Sequence, residues 1–124
     1  MITREQIQNS DAIWVYGDNL KRAGYGGQAK VCRGLPNTIG IPTKYAPNNA
    51  PFSFFYDLNY EKLTTLIRED IDKVKACLDN GEQVYIFRGI GEGLAQLPLK
   101  APKIYEFLVS EINSLIGMGA KWVS

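Results

Sequence analysis

The sequence predicts an α/β protein, a compact three-layer α/β/α sandwich built around a mixed sheet in which at least some strands are parallel. Three observations predict it. Short apolar runs rich in β-branched and aromatic residues, AIWVY, TIGI and QVYIF, alternate with amphipathic stretches of helical period. Two glycine-rich segments each follow a strand and precede a helix, as ligand loops do at the carboxyl edge of an α/β sheet. The 124 residues, 45% of them hydrophobic and 22% charged, suit one core, so residues 1–124 are expected to form a single domain.

TREQIQ is read as a helical turn or an edge segment. AIWVY follows, a run that suits a strand buried on both faces. Next come the first glycine loop and QAKVCRG, a short helix stopped by Gly34. TIGI, closed by Pro42, is a brief strand, and its interior glycine marks a place where something passes close to the backbone. Residues 45–57, YAPNNAPFSFFYD, lack either period and form a long irregular loop, of a length that commonly serves as a lid or binding loop. Its aromatic residues Phe52, Phe54, Phe55 and Tyr56 either pin it to the core or leave one ring exposed for stacking.

The clearest helix is 59–80, where Leu63, Leu66, Ile67, Ile71, Val74 and Leu78 recur at helical spacing before Gly81. QVYIFRG is a third strand running into a second glycine loop, IGEGLAQLP. Residues 101–116 form another amphipathic helix, and AKWVS offers a short last strand.

The two loops carry the candidate chemistry. In YGDNLKRAGYGGQAKVCRG, Gly24, Gly26 and Gly27 permit positive φ and remove bulk, so successive N–H groups can line a hollow that fits an anion. Gln28 opens the helix that follows, whose first amides would favour the same anion, with Lys30 and Arg33 in its first turns. Tyr25 stands inside this loop. Gly17, Asp18 and Asn19 end the preceding strand, where a carboxylate and an amide can bond to a ribose or a base edge, or form an Asx turn. The second loop offers Gly89, Gly91, Gly93 and Leu94 with Glu92, the only carboxylate there and the candidate general base of any reaction. Arg88 either pairs with a phosphate or bridges to Glu92 or Asp18. Side by side, the two loops would grip a diphosphate from both sides.

Composition removes several classes. There is no histidine, so Ser-His and Cys-His nucleophiles and histidine zinc sites are excluded, and Cys32 and Cys77 stand too far apart for a metal knuckle. No metal, cofactor or catalytic residue is assigned. A formal charge of +1 disfavours nucleic acid, for which Lys21, Arg22, Lys30, Arg33 and Lys44 would be the phosphate contacts. The N-terminus lacks a signal-peptide core and no run reaches a membrane span, so a cytoplasmic protein with no membrane partner is expected.

The ordered combination Gly17-Asp18-Asn19, Gly26-Gly27 with Ala29, Ile41-Pro42-Thr43-Lys44, and Gly91-Glu92-Gly93-Leu94-Ala95 resembles a group of small macrodomain-like phage and bacterial proteins, over residues 15–98. The resemblance implies a macrodomain-like fold and a nucleotide-derived ligand such as ADP-ribose or a cyclic nucleotide. It adds Thr43 and Lys44 to the ligand-binding candidates. A phage origin would imply capture of a host nucleotide signal in the host cytoplasm, by sequestration without turnover. The alternative is an ADP-ribosyl or phospho-ribose hydrolase in which Asn19, Asp18 or Glu92 orients water. The aromatic loop and the C-terminal edge strand suggest self-association, with Tyr25 or residues 52–56 then able to reach a neighbour's site.

Overall fold

A computed structural model describes residues 1–123; Ser124, the end of the AKWVS tail, lies outside the described residues. Strands β1 (Ile13–Asp18), β2 (Thr38–Pro42), β3 (Val84–Phe87) and β4 (Lys121–Val123) form one sheet in the order β2-β1-β3-β4. All three pairings are parallel, which corrects the mixed sheet expected from sequence. The reason lies in the connections. Each link between successive strands carries a helix across the sheet: α2 (Ala29–Cys32), then α3 (Tyr60–Asp79), then α4 (Leu97–Lys100) with α5 (Pro102–Gly117). Every strand therefore re-enters in the same direction, as crossover connections require.

Alternation along the strands divides the apolar side chains between two faces. Val15, Ile41, Val84 and Ile86 lie on one face with the long helices. The buried stripe of α3 is Leu63, Ile67, Ile71 and Val74, and that of α5 is Ile104, Leu108, Ile112 and Leu115. Both stripes follow the same three- and four-residue rhythm, so each helix presents a continuous ridge to the sheet and to its neighbour. Trp14, Tyr16 and Phe87 lie on the other face, in a smaller cluster with Ile7 of α1 (Arg4–Gln8) and with Ala29 and Cys32 of α2. A capping box starts α1: Thr3 N–H donates to Gln6 Oε1 (2.7 Å), and Gln6 N–H donates to Thr3 Oγ1 (3.1 Å).

The 45–57 segment is more ordered than its sequence suggests. Lys44 and Phe54 form an antiparallel bridge at its base, and Tyr45 N–H donates to Ser53 O (2.8 Å). Phe54 and Phe55 are buried and pin the loop to the core, while Phe52 is 80% exposed. Asp57 then accepts from the first free amides of α5, Lys103 N–H and Ile104 N–H, each at 3.0 Å. The loop is thereby tied to the helix that follows the second glycine loop.

Candidate functional site

β1 is the central branch point of the sheet. The chain leaves it to build β2 on one side, then returns across to build β3 on the other. Such a reversal of strand order opens a crevice beyond the carboxyl ends of the two diverging strands, the usual ligand position in open parallel sheets. Here pairing between β1 and β3 stops at Val15 and Ile86. The glycine loops that follow these two strands stand on either side of the opening.

Gln28 spans the gap. Its Oε1 accepts from Gly17 N–H (2.8 Å) and its Nε2 donates to Arg88 O (2.7 Å), so one amide side chain satisfies the strand ends that no longer pair with each other. Above it lies a cavity of about 350 Å³. That is within the roughly 300–1,000 Å³ of small-molecule sites.

Three walls enclose the cavity. The first contains Gly17, Asp18, Asn19 and residues 23–29, with Arg33 behind them. The second is residues 89–95. The third comprises Thr43, Lys44, Pro47, Asn48 and Asn49. Sixteen of the eighteen residues singled out from sequence thus come together around one hollow, the exceptions being Lys30 and Arg88. Lys30 is exposed on α2, and the Arg88 guanidinium lies over the Trp122 ring, 5.2 Å from its centre, pairing with neither Glu92 nor Asp18.

The loop backbones carry unspent donors. Among the described residues, the amides of Gly24, Tyr25, Gly26, Gly27 and Gln28 have no protein acceptor, nor do those of Gly89, Ile90, Gly91, Gly93 and Leu94. The first amides of α2 do have one: Ala29 and Lys30 donate to Gly26 O and Gly27 O, each at 3.2 Å. The expectation that this helix's N-terminus would face the anion is corrected accordingly. A helix of four residues has little dipole to offer, and the free donors belong to the loops.

Close approach explains the glycines that matter most. Gly24 has φ +87°, and a β-carbon there would lie 2.9 Å from Pro47 Cβ, so the first wall is packed against the third. A β-carbon on Gly26 would lie 3.3 Å from Leu94 Cδ1, so the side chain of the second loop rests on the backbone of the first. Tyr25 and Leu94, 64% and 61% exposed, form an apolar rim.

Asp18 is fully engaged. Its Oδ1 pairs with Arg33 Nη2 and accepts from Asn19 N–H (2.7 Å); its Oδ2 accepts from the Tyr16 hydroxyl (3.3 Å) and from Arg22 Nη1 (3.4 Å). Arg22 also reaches the buried Asp70 (2.6 Å), which Lys73 joins at 3.1 Å. Burial works against charge on Arg22, and its bonds to Asp70 and Asp18 outweigh that and raise its pKa. Arg33 likewise has a raised pKa, burial being outweighed by Asp18, and its Nε donates to Gly24 O (2.6 Å). The Asp18–Arg33 pair therefore anchors the first loop to the end of β1. With both oxygens taken, Asp18 has no acceptor to spare for a water molecule.

Glu92 is also held: its Oε2 accepts from the Tyr105 hydroxyl (3.0 Å). Asn19 differs. Its Nδ2 donates to Ala23 O (2.9 Å), while its Oδ1 is buried with no partner. Lys44 is 7% exposed, donates to Asn48 O (2.7 Å), and sits 4.6 Å from the centre of the Phe54 ring. Burial lowers its pKa.

Sequence reasoning missed the apolar floor of Ile90 and Ala95, and it marked the 45–57 loop as a candidate lid or binding loop without naming Pro47, Asn48 or Asn49. The PNN triplet at 47–49 is brought to the cavity by the bridge between Lys44 and Phe54 at the base of the loop. Among the described residues no cluster of side chains is suited to a metal ion, and no helix is long and apolar enough to cross a membrane.

No curated protein and no solved structure matches this chain. A model of a family of unknown function, DUF7831, matches residues 1–111. That span includes β1, β2, β3 and all three walls of the cavity, and the chain belongs to the DUF7831 family.

Proposed function

We propose that this protein binds an ADP-ribose-like or cyclic nucleotide in the crevice between the ends of β1 and β3, on a macrodomain-like three-layer frame, and holds it without turnover. One observation carries the reading: two loops with unspent backbone amides line the same hollow at the branch point of a parallel sheet. Unpaired N–H groups in glycine-rich bends favour an anion whose charge is spread over several oxygens, which describes a diphosphate or phosphodiester. The cavity is large enough for the attached sugar, and the rim of Tyr25 and Leu94 offers an apolar surface to a base.

Storage rather than hydrolysis is favoured by the state of Asp18. Asp18 is neutralised by arginines and both its oxygens are taken, which leaves Glu92, bonded through one oxygen to Tyr105, as the carboxylate on which the hydrolase alternative rests. A general base needs a free acceptor within reach of water. In a phage setting, such a protein would withdraw a host nucleotide signal from its receptor.

Calorimetry with ADP-ribose, cyclic ADP-ribose isomers and cyclic dinucleotides tests the proposal. Saturable one-to-one heat with one of these ligands, recovered unchanged after long incubation, is the expected result. Absence of heat with all of them contradicts binding, and a new product on chromatography contradicts storage.

A further inference from the structure

We propose that Lys44 and Asn19 form a side-chain subsite for a phosphorylated sugar, in which the ammonium takes the phosphate and Asn19 Oδ1 accepts from a sugar hydroxyl. This deepens the reading of the cavity as a nucleotide site and rests on it.

Two independent observations support the subsite. Lys44 is a buried cation lining the cavity, and it has no carboxylate within ion-pair distance among the described residues. A buried charge is costly unless paired, and a carbonyl oxygen with the face of one ring compensates it only in part. Lys100 adds to the imbalance, since its ammonium lies 4.7 Å from the centre of the same Phe54 ring that Lys44 approaches at 4.6 Å. Two cations share one ring with no anion between them. Of the other charges lining the cavity, Asp18 faces Arg33, and Glu92 on the second loop bonds to the Tyr105 hydroxyl and makes no ion pair with Lys44. An incoming phosphate is what this wall lacks.

Asn19 is the second observation. Its Oδ1 is a buried acceptor without a donor in a residue only 7% exposed that lines the same cavity. Buried polar atoms are seldom left unpaired, and those that are call for a partner. The partner must be a donor, which phosphate oxygens are not, so the ligand must bring a hydroxyl or an amine. The two walls are adjacent by construction: Thr43 N–H donates to Asp18 O and Leu20 N–H donates to Lys44 O, both at 2.9 Å, which sets residues 18–20 alongside residues 43–44. A hydroxyl next to a phosphate on one compact molecule is a sugar phosphate.

The alternative role for Lys44 is to hold the 45–53 segment through Asn48 O. The probe ribose 5-phosphate separates the two, and wild-type protein alone provides the first arm. Ribose 5-phosphate is expected to bind at least about tenfold more tightly than ribose or inorganic phosphate, as a charge-assisted bond requires. Equal binding of ribose and ribose 5-phosphate overturns the proposal. In the second arm, Lys44→Gln keeps a donor but removes the charge. Affinity for ribose 5-phosphate should fall about tenfold and its dependence on salt should weaken, while affinity for ribose stays the same. Unchanged ribose 5-phosphate affinity and salt dependence in a folded K44Q protein overturn the proposal. The outcomes also separate from those of the parent reading: nucleotide binding that is indifferent to K44Q sinks the subsite alone, and ribose 5-phosphate binding without any nucleotide binding sinks the nucleotide assignment alone.

Discussion

Gly40 lies flat against the carboxylate of Asp18: a β-carbon at position 40 would stand 2.5 Å from Asp18 Oδ2. The two residues belong to neighbouring strands, and the missing side chain of β2 makes the space in which the β1 carboxylate collects Arg22, Arg33 and Tyr16. Gly40→Ala must push the carboxylate away from these partners, at a cost of about 1–3 kcal/mol. Asp18→Ala breaks the buried pair outright and should cost about 3–5 kcal/mol. With the carboxylate gone, Gly40→Ala should add little, so urea unfolding of the single and double variants should reveal strong coupling. Additive losses would show that the glycine serves some other purpose.

The Gln28 side chain is expected to matter for folding as much as for any ligand, because it bonds to both strand ends. Gln28→Leu leaves Gly17 N–H and Arg88 O without their partner and should cost about 1–3 kcal/mol. Denaturant midpoints check this, and a variant as stable as the parent would mean that water replaces the amide.

Alkaline pH should destabilise the protein. Burial first, and the Asp18 charge second, push the Tyr16 hydroxyl from 10.0 up to about 12. Burial pushes the Cys32 thiol from 9.0 up to about 12. A group whose pKa is higher in the folded chain contributes stability in full below its unfolded value, and loses it as pH climbs through the folded one. Lys44 acts with the opposite sign: its pKa falls below 10.5, so its contribution grows as pH rises towards that value. The two buried acids set the balance, and the urea midpoint should decline between about pH 9 and pH 12. Tyr16→Phe should flatten the upper part of that decline. A midpoint constant across the window would contradict the burial of these groups.

Much of this arrangement was legible in the chain. The stripes of α3 and α5 follow from residue spacing, and the placement of both glycine loops at one sheet edge follows from their position after apolar strands. The direction of every strand was not legible. β4 has only three residues and carries no pattern that distinguishes a crossover from a hairpin. α4 escaped because four residues containing Pro98 cannot display a helical period. Arg88 and Lys30 fall outside the cavity lining because side-chain direction depends on neighbours remote in sequence, Trp122 in the first case. The saturation of Asp18 was hidden for the same reason, since it depends on where Arg33 turns after α2 ends.

Amide NMR tests the central claim most directly, with inorganic pyrophosphate titrated into the labelled protein. The account predicts that signals from residues 24–28 and 89–94 move together along one binding curve, because both loops hold the same anion. Movement confined to one loop, two separate curves, or no movement in either would contradict it.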